Sequence, residues 1–356
     1  MIKPLEHPPS MDAPQVKKTR RKIPRWLIMV VTYAVSIGSL IWALRGYDFT
    51  DVKPAILSVK WEWVLLAVLI ELAVYVFQGW RWITLLSPVD RPTVWEATQA
   101  IYIGLFASDV LPLRPGELIR GYLLAVWAEI PISLTLTSMV LERLLDGIWL
   151  MAAFWVSASF MNMPRVLVDL AQVFAAGVFG LSALFLYILF RKHHAHSLLS
   201  GRSWGRKFLH VLDQIHELGN WRTLGAAFGI TFLYWVVQIL PIWALFRAYE
   251  MDLSIGHAAA VLIIKSIGTA VPSAPGNFGV LQSVVKLALT RFSVESNVAF
   301  ELSNLIWAAT TLPLLIAGFI AVLLTGANIG EIHRHAHAHH RRHLESRAAP
   351  EPGLKP

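Results

Sequence analysis

The stretch Val110–Leu124, with the sequence VLPLRPGELIRGYLL, decides how the chain is interpreted. It lies in apolar surroundings but contains two prolines, two arginines and a glutamate, which an ordinary membrane helix avoids. A similar stretch, AVPSAPGNFGVL, occupies Ala270–Leu281. Both contain the element P-x-x-P-G, at Pro112–Gly116 and at Pro272–Gly276, and 272 − 112 = 160. An element that recurs at a fixed distance indicates an internal duplication.

The composition is that of an all-α polytopic membrane protein. Of the 356 residues, 56% are hydrophobic and only 15% are charged, whereas soluble domains average about 25% charged residues. Several apolar runs approach the roughly 20 residues that span a bilayer. There is no cysteine, which excludes disulfides, thiol nucleophiles and cysteine-bound metals. The net charge of +8 comes from tails and loops beside apolar runs, a pattern that indicates membrane orientation and no nucleic-acid partner.

The pattern predicts three regions. Residues 1–25 form a basic cytoplasmic tail, residues 26–325 form one transmembrane domain, and residues 326–356 form a His- and Arg-rich cytoplasmic tail. We expect a bacterial-type cytoplasmic (inner) membrane protein with both termini inside. Six full spans are predicted: Trp26–Leu44, Trp61–Trp80, Pro131–Phe160, Val166–Phe190, Trp221–Arg247 and Asn297–Thr325. The second of these spans is expected to reach the cytoplasm at Arg81.

Two further segments, Val94–Trp127 and Ile255–Thr290, are each interrupted by the P-x-x-P-G element. The apolar pieces beside each break are too short to span a bilayer comfortably. A helix that breaks at membrane depth must have its freed backbone groups buried in protein or facing water. We therefore predict two re-entrant helical hairpins, the first entered from the cytoplasm and the second from outside.

The predicted topology makes the two halves inverted repeats. Repeat one covers about residues 61–160 and repeat two about residues 221–325. Gln78 and Gln238, like Ala100 and Ala260, match at the same offset of 160. The first repeat begins with an inward crossing and the second with an outward one. Inverted repeats with broken helices are an architecture of secondary transporters. The alternative is that these matches arise by chance among apolar segments.

Each hairpin suggests a site for an anion. A helix is expected to begin just after Pro-Gly, at Gly116 and at Gly276, and helix N-termini present free N–H groups and partial positive charge. The turns would be set by the prolines Pro112, Pro115, Pro272 and Pro275. The candidate headgroup-binding residues are Arg114, Gly116, Glu117, Arg120, Lys265, Ser273, Gly276 and Asn277. The alternative is that the prolines only end helices and the arginines extend to the interface.

The segment LERLLDG, residues 141–147, places charges inside a predicted span. Glu142 and Asp146 share one helical face, with Arg143 beside them. They could line a polar pathway, supply a counter-charge to Arg114, or form a salt bridge that holds this span to a hairpin. The candidate pathway or gate residues are Arg81, Glu142, Arg143, Asp146, Glu301 and Asn304. Two more intramembrane charges have no assigned role: Glu71 and Lys286.

No catalytic site is predicted. The sequence contains no phosphate-binding loop, nucleophile elbow, zinc-protease or dinucleotide-binding motif, so neither catalytic residues nor a cofactor are expected. The tract HRHAHAHHRRH, His333–His343, has a composition that can bind metal. We favour a basic tail attracted to anionic lipid and predict no metal site.

Four motifs carry a resemblance to a known family. They occur in this order: Gly79-Trp80-Arg81-Trp82, LPLRPGELIRGYLL, Leu141–Gly147, and PSAPGNFGVLQ at Pro272–Gln282. With them the chain resembles the transmembrane region of lysylphosphatidylglycerol synthases, the flippase-like membrane proteins, over roughly residues 20–325. The resemblance implies a protein that transfers a lipid between leaflets, and it does not identify the lipid. We expect no aminoacylation by this chain alone, because no segment outside the membrane has the length of a catalytic domain.

Three functions remain open. The first is a lipid flippase that moves a polar or phosphorylated lipid, of phospholipid, polyisoprenoid or hopanoid type. The second is an intramembrane lipid-modifying transferase, acting in lysylphosphatidylglycerol synthesis or lipid-linked glycosyl transfer. The third is a non-catalytic partner of a lipid-biosynthesis enzyme. Membrane lipids are the expected partners in every case, and the sequence gives no oligomeric state.

Overall fold

A computed structural model describes most of the predicted membrane domain. The residues described are Ile41 and the ranges 59–89, 92–111, 114–160, 165–190, 220–270 and 275–325. Both predicted tails, residues 191–219 and all of the first predicted span except Ile41 lie outside them.

The described part of the chain is helical and contains no strand, which confirms the predicted all-α class. It has nine α-helices: α1 (Trp61–Leu86), α2 (Val94–Val110), α3 (Gly116–Trp127), α4 (Ile132–Phe160), α5 (Arg165–Phe190), α6 (Trp221–Ala248), α7 (Ile255–Gly268), α8 (Val280–Arg291) and α9 (Ser296–Thr325). A short 3₁₀ turn, Pro275–Asn277, lies between α7 and α8.

Three helices, α1, α6 and α9, are long and apolar enough to cross a membrane. Helices α4 and α5 have 29 and 26 residues, and α4 carries three ionisable residues near its middle. One predicted boundary is wrong: α1 does not end at Trp80 but continues to Leu86, and Arg81 is buried within it. Arg81 is therefore an interior residue, and its charge is compensated by protein.

Helices α2, α3, α7 and α8 form two short pairs around the two P-x-x-P-G elements. They have 17, 12, 14 and 12 residues, or lengths of about 18 to 25 Å at 1.5 Å per residue. Each is shorter than the roughly 30 Å of a bilayer core. We call the α2–α3 pair the first hairpin and the α7–α8 pair the second hairpin.

Both hairpins begin with the same local structure. The Thr93 hydroxyl accepts the N–H of Glu96, whose carboxylate accepts the Thr93 N–H at 2.8 Å. At the start of α7, Ser254 and His257 form the corresponding reciprocal pair. Because such capping boxes satisfy free N–H groups at a helix start, they fix where each hairpin begins.

The helices fall into two sets: the first set is α1, α2, α3 and α4, and the second set is α6, α7, α8 and α9. The contacts within the first set recur within the second. The pairs α1–α2, α2–α3 and α3–α4 recur as α6–α7, α7–α8 and α8–α9. The contacts between the sets are matched as well: α2–α9 with α7–α4, and α1–α9 with α6–α4. Helices α1 and α6, which start 160 residues apart (221 − 61 = 160), pack against each other.

Helices α1 and α6 run antiparallel. The Lys60 N–H, just before α1, donates to the carbonyl of Ala248 at the end of α6 at 3.0 Å. The Lys60 Nζ lies 2.6 Å from a Glu250 carboxylate oxygen. This hydrogen bond raises the pKa of Lys60 and lowers the pKa of Glu250. Further along the pair, the Arg81 guanidinium lies over the Tyr234 ring.

Gly318 allows α9 to approach α2 closely, and we expect Gly318→Ala to lower the thermal unfolding temperature. An added Cβ would lie 2.6 Å from the Tyr102 carbonyl oxygen and 2.5 Å from the Phe106 Cβ. Such overpacking costs about 1–3 kcal/mol, although alanine is the better helix former by about 1 kcal/mol. Gly229→Ala in α6 is the matched control, because a Cβ there meets no atom within 4 Å. Tryptophan fluorescence in detergent measures the thermal unfolding of both variants. Equal unfolding temperatures for Gly318→Ala and Gly229→Ala would contradict the packing argument.

Candidate functional site

The tip of the second hairpin is a left-handed turn. Gly276 has φ 65°, Asn277 has φ 54° and Gly279 has φ 85°. Helix α8 therefore begins at Val280, and the predicted helix start at Gly276 is wrong. The Trp307 indole of α9 donates to the Gly276 carbonyl at 2.9 Å, which supports the turn from one side.

The tip of the first hairpin has the predicted helix start. Pro115 precedes α3, which begins at Gly116. A methyl group at Gly116 would overlap the backbone carbonyl of Gly104 in α2, so glycine permits this approach. Arg114 has φ 50°, a conformation that non-glycine residues adopt rarely. The predicted turn residues Pro112 and Pro272 and the candidate Ser273 lie outside the described residues.

The two tips are in contact, and we call this contact the tip junction. It comprises Asp109, Arg114, Gly276 and Asn277. The Arg114 Nη1 donates to the Asn277 Oδ1 at 3.0 Å, and its Nη2 lies 3.7 Å from the Asp109 carboxylate. That carboxylate also accepts the Gly276 N–H at 3.3 Å. Two residues in left-handed conformations thus meet where the helix sets join, and such conformations cluster at functional sites.

Asp109 was not among the residues singled out from the sequence. The signal was present, because an aspartate two residues before the LPLRPG break is an ionisable group in an apolar segment. Sequence reasoning concentrated on the repeated P-x-x-P-G element, which Asp109 precedes. The structure shows that Asp109 supplies the counter-charge of Arg114 and also binds the second tip.

Six charged residues next to the first hairpin form a closed cycle, which we call the ion ring. Each arginine contacts two carboxylates, and each carboxylate contacts two arginines. In order around the cycle they are Arg81, Glu142, Arg120, Glu117, Arg143 and Asp146. Three positive and three negative groups make the ring neutral. The ring joins α1, α3 and α4.

The ring runs from the interior to the surface. Arg81 is 1% exposed, Glu142 is fully buried, and the two are 3.2 Å apart. Arg120 is also buried, lies 3.1 Å from Glu142, and stacks over the Trp82 ring. On the other side, the Arg143 side chain is 58% exposed and lies 2.8 Å from Glu117. Buried charges need such pairing, because an unpaired ion in an apolar interior is very unfavourable.

The ring bears on two of the alternatives for the LERLLDG segment, the counter-charge to Arg114 and the salt bridge to a hairpin. Glu142 and Asp146 do not supply the counter-charge of Arg114, because both pair with Arg81. They hold α4 to α1 and to the first hairpin, as the salt-bridge alternative predicts. Arg120 lies in the ring and away from the tip junction.

The remaining candidates lie in α7 and α9. Lys265 is half-buried in α7 and acts electrostatically on Glu71 of α1. Asn304 is half-buried in α9 and donates to the carbonyl of Phe300 one turn earlier. Glu301 is half-buried in the same helix. Within the described ranges, no group of three or more residues could hold a metal ion.

We expect Glu142→Gln to destabilise the protein strongly, because it leaves the buried guanidinium groups of Arg81 and Arg120 without a shared carboxylate. Removing one partner of a buried pair typically costs about 3–5 kcal/mol. Arg143→Gln removes an exposed member of the same ring, where an ion pair is worth about 0–1 kcal/mol. Thermal unfolding in detergent should therefore shift far more for Glu142→Gln. Similar shifts would show that burial does not determine the stabilisation by the ring.

Comparison with known proteins identifies the family. A family model described as the lysylphosphatidylglycerol synthase TM region matches residues 29–318, which confirms the resemblance seen in the motifs. The matched range contains the tip junction and the ion ring.

Archaeal proteins are similar over most of the chain. A UPF0104 membrane protein of Methanocaldococcus jannaschii is 23% identical over 320 residues, covering 84% of this chain and 94% of its own length. A UPF0104 membrane protein of Methanothermobacter thermautotrophicus is 20% identical over 276 residues, covering 70% and 79%. No solved structure matches the chain significantly. The chain is a membrane protein that belongs to the lysylphosphatidylglycerol synthase transmembrane-region family.

Proposed function

We propose that this protein is a lipid flippase that binds a phosphorylated lipid headgroup at the tip junction and moves it between leaflets. The observation that carries the proposal is the contact between the two hairpin tips, where Arg114 meets Asn277 at 3.0 Å. The family description names a lipid-related membrane region, which agrees with a lipid ligand. The acyl or isoprenoid chains of the lipid would remain in the bilayer while the headgroup crosses.

The chemistry of the tip junction suits an oxyanion. The Arg114 side chain is about one-third exposed (34%), so part of its guanidinium fork remains accessible. Its contact with Asp109 is long, at 3.7 Å, and a phosphate bound by the planar fork makes shorter, charge-assisted hydrogen bonds. The N-terminus of α3 begins two residues after Arg114 and adds partial positive charge. A headgroup phosphate would replace Asp109 as the partner of Arg114.

The arrangement of the helix sets supports movement about this site. The matched contacts and the antiparallel α1–α6 pair are what two inverted repeats would produce. We propose that both hairpins are re-entrant and that the two sets tilt about the tip junction to expose it to each leaflet in turn. The ion ring would keep α1, α3 and α4 together while this happens. In this proposal the protein lies in a cytoplasmic membrane with both termini inside.

Arg114→Gln should slow lipid movement at least about tenfold, because it removes the charge that binds the phosphate while keeping a hydrogen-bond donor toward Asn277. One charge-assisted hydrogen bond is worth roughly 1.5–3 kcal/mol, which corresponds to about ten- to a hundredfold. The measurement uses proteoliposomes with fluorescent phosphatidylglycerol, whose outer-leaflet fraction is bleached by an impermeant reductant.

Arg291→Gln is the matched control, since Arg291 is an exposed arginine at the end of α8. It should move lipid at the wild-type rate. Fluorescent phosphatidylcholine tests headgroup preference, and addition of transferase donors tests for lipid modification. Normal movement by folded Arg114→Gln protein would contradict headgroup binding at the tip junction.

The cysteine-free chain permits a direct test of the inverted arrangement. Single cysteines at Val89, between α1 and α2, and at Glu295, between α8 and α9, mark the bases of the two hairpins. An impermeant maleimide should label Val89→Cys from the cytoplasmic side and Glu295→Cys from the opposite side. Cysteines at Val110 and Phe278, near the tips, should not label from either side in the way that an exposed loop labels. Labelling of both bases from one side would rule out inversion.

A further inference from the structure

Glu71 is a buried carboxyl group that neither the tip junction nor the ion ring contains. It lies in the middle of α1, one of the apolar helices able to span a membrane, and is 3% exposed. Its carboxylate accepts a hydrogen bond from the Tyr75 hydroxyl at 3.4 Å, one turn along the same helix. In the described part of the chain it makes no salt bridge within 4.0 Å.

The groups that face Glu71 come from both helix sets. Lys265 of α7 acts on it electrostatically from the second set. Tyr102 of α2 lies beside Tyr75, with 5.9 Å between ring centroids, and donates its own hydroxyl to the Leu72 carbonyl.

The other elements packed near this part of α1 add few charges. Tyr234 of α6 and Asp109 of α2 act electrostatically on Tyr75. The only titratable residue of α9 is Glu301. The carboxylates of α4 are bound to Arg81, ten residues further along α1 (81 − 71 = 10). Among the described groups, Lys265 is therefore the cation that acts on Glu71.

This environment makes the charge of Glu71 depend on the position of Lys265. A buried carboxylate is unfavourable unless a positive group lies near it, and it otherwise takes up a proton. Glu71 belongs to the first set and Lys265 to the second. A movement of the sets about the tip junction changes their separation, so the two arrangements would bind a proton with different affinity. That difference is what energetic coupling between a ligand and a conformational change requires.

We propose that Glu71 is a proton-binding site through which a transmembrane proton gradient drives lipid movement. The inference rests on the proposed flippase function. When Lys265 is distant, the Glu71 carboxylate takes a proton from the compartment then open to it; when Lys265 approaches, that proton is released to the other compartment. No other bond changes. One carboxyl with one hydroxyl neighbour provides too few oxygen ligands, among the described residues, for Ca²⁺ or Mg²⁺.

The experiment compares the full-length wild type with Glu71→Gln and Glu62→Gln in proteoliposomes. Glu62 is an exposed glutamate at the start of the same helix and is the matched control. An imposed pH gradient should change the initial rate of fluorescent phosphatidylglycerol movement by about fivefold or more in wild type. Glu71→Gln should lose the response to the gradient, whereas Glu62→Gln should keep both the rate measured without a gradient and the response. Gln is nearly isosteric with Glu, and thermal unfolding verifies that the variant is folded.

Infrared difference spectra between acidic and alkaline buffer test the site independently of transport. The carbonyl band of protonated, buried carboxyl groups should have the same intensity in wild type and Glu62→Gln and should lose intensity in Glu71→Gln. An unchanged band in Glu71→Gln overturns the proton site. Wild-type transport that ignores the pH gradient, or follows a sodium gradient at equal pH, overturns proton coupling and leaves the flippase proposal standing. Absence of any lipid movement in wild type overturns the flippase proposal and, with it, the coupling.

Discussion

The guanidinium of Arg81 lies inside an apolar helix bundle, and the arrangement of the first helix set depends on compensating its charge. Glu142 is buried against Arg81. The same carboxylate also pairs with a second cation, Arg120. Asp146, on the same face of α4 as Glu142, is the second carboxylate that pairs with Arg81. Because these groups come from three helices, their ion pairs restrict the rotation of each helix. The ring therefore specifies how the first hairpin sits, whatever its net contribution to stability.

The second helix set is held together differently. The position that matches Arg81 is occupied by Pro241, since 241 − 81 = 160. Its hairpin packs through apolar contacts, such as Gly268 of α7 against Val284 of α8, and through an apolar core shared with α1 and α9. Apolar packing is less directional than a ring of ion pairs. The matched helix contacts thus join two halves that differ in chemistry, because the ion ring lies in the first set and Pro241 stands at the position of Arg81 in the second.

Several features could be predicted from the sequence because each has a local cause. Two hairpin breaks follow from proline and glycine, and the shared helix face of Glu142 and Asp146 follows from helical periodicity. The interior position of Arg81 could not be predicted, because beside tryptophans an arginine is read as a boundary marker. Only tertiary structure shows that two carboxylates of α4 lie beside it. The predicted start of α8 was wrong for a related reason. Pro-Gly indicates a turn, but only the backbone shows that Gly276, Asn277 and Gly279 adopt left-handed conformations.

The two polar sites, the ion ring and the tip junction, differ in how deeply their charges are buried. Glu142 and its arginines are buried and cannot exchange partners without exposing charge to an apolar interior. At the tip junction, Arg114 and Asp109 are partly exposed and 3.7 Å apart, a geometry in which an ion pair contributes about 0–1 kcal/mol. A phosphate that offers two oxygens to the same guanidinium forms the stronger contact. Under the proposed function, a headgroup would displace Asp109 without disturbing the ion ring, so headgroup binding and the packing of the first helix set would depend on separate charges.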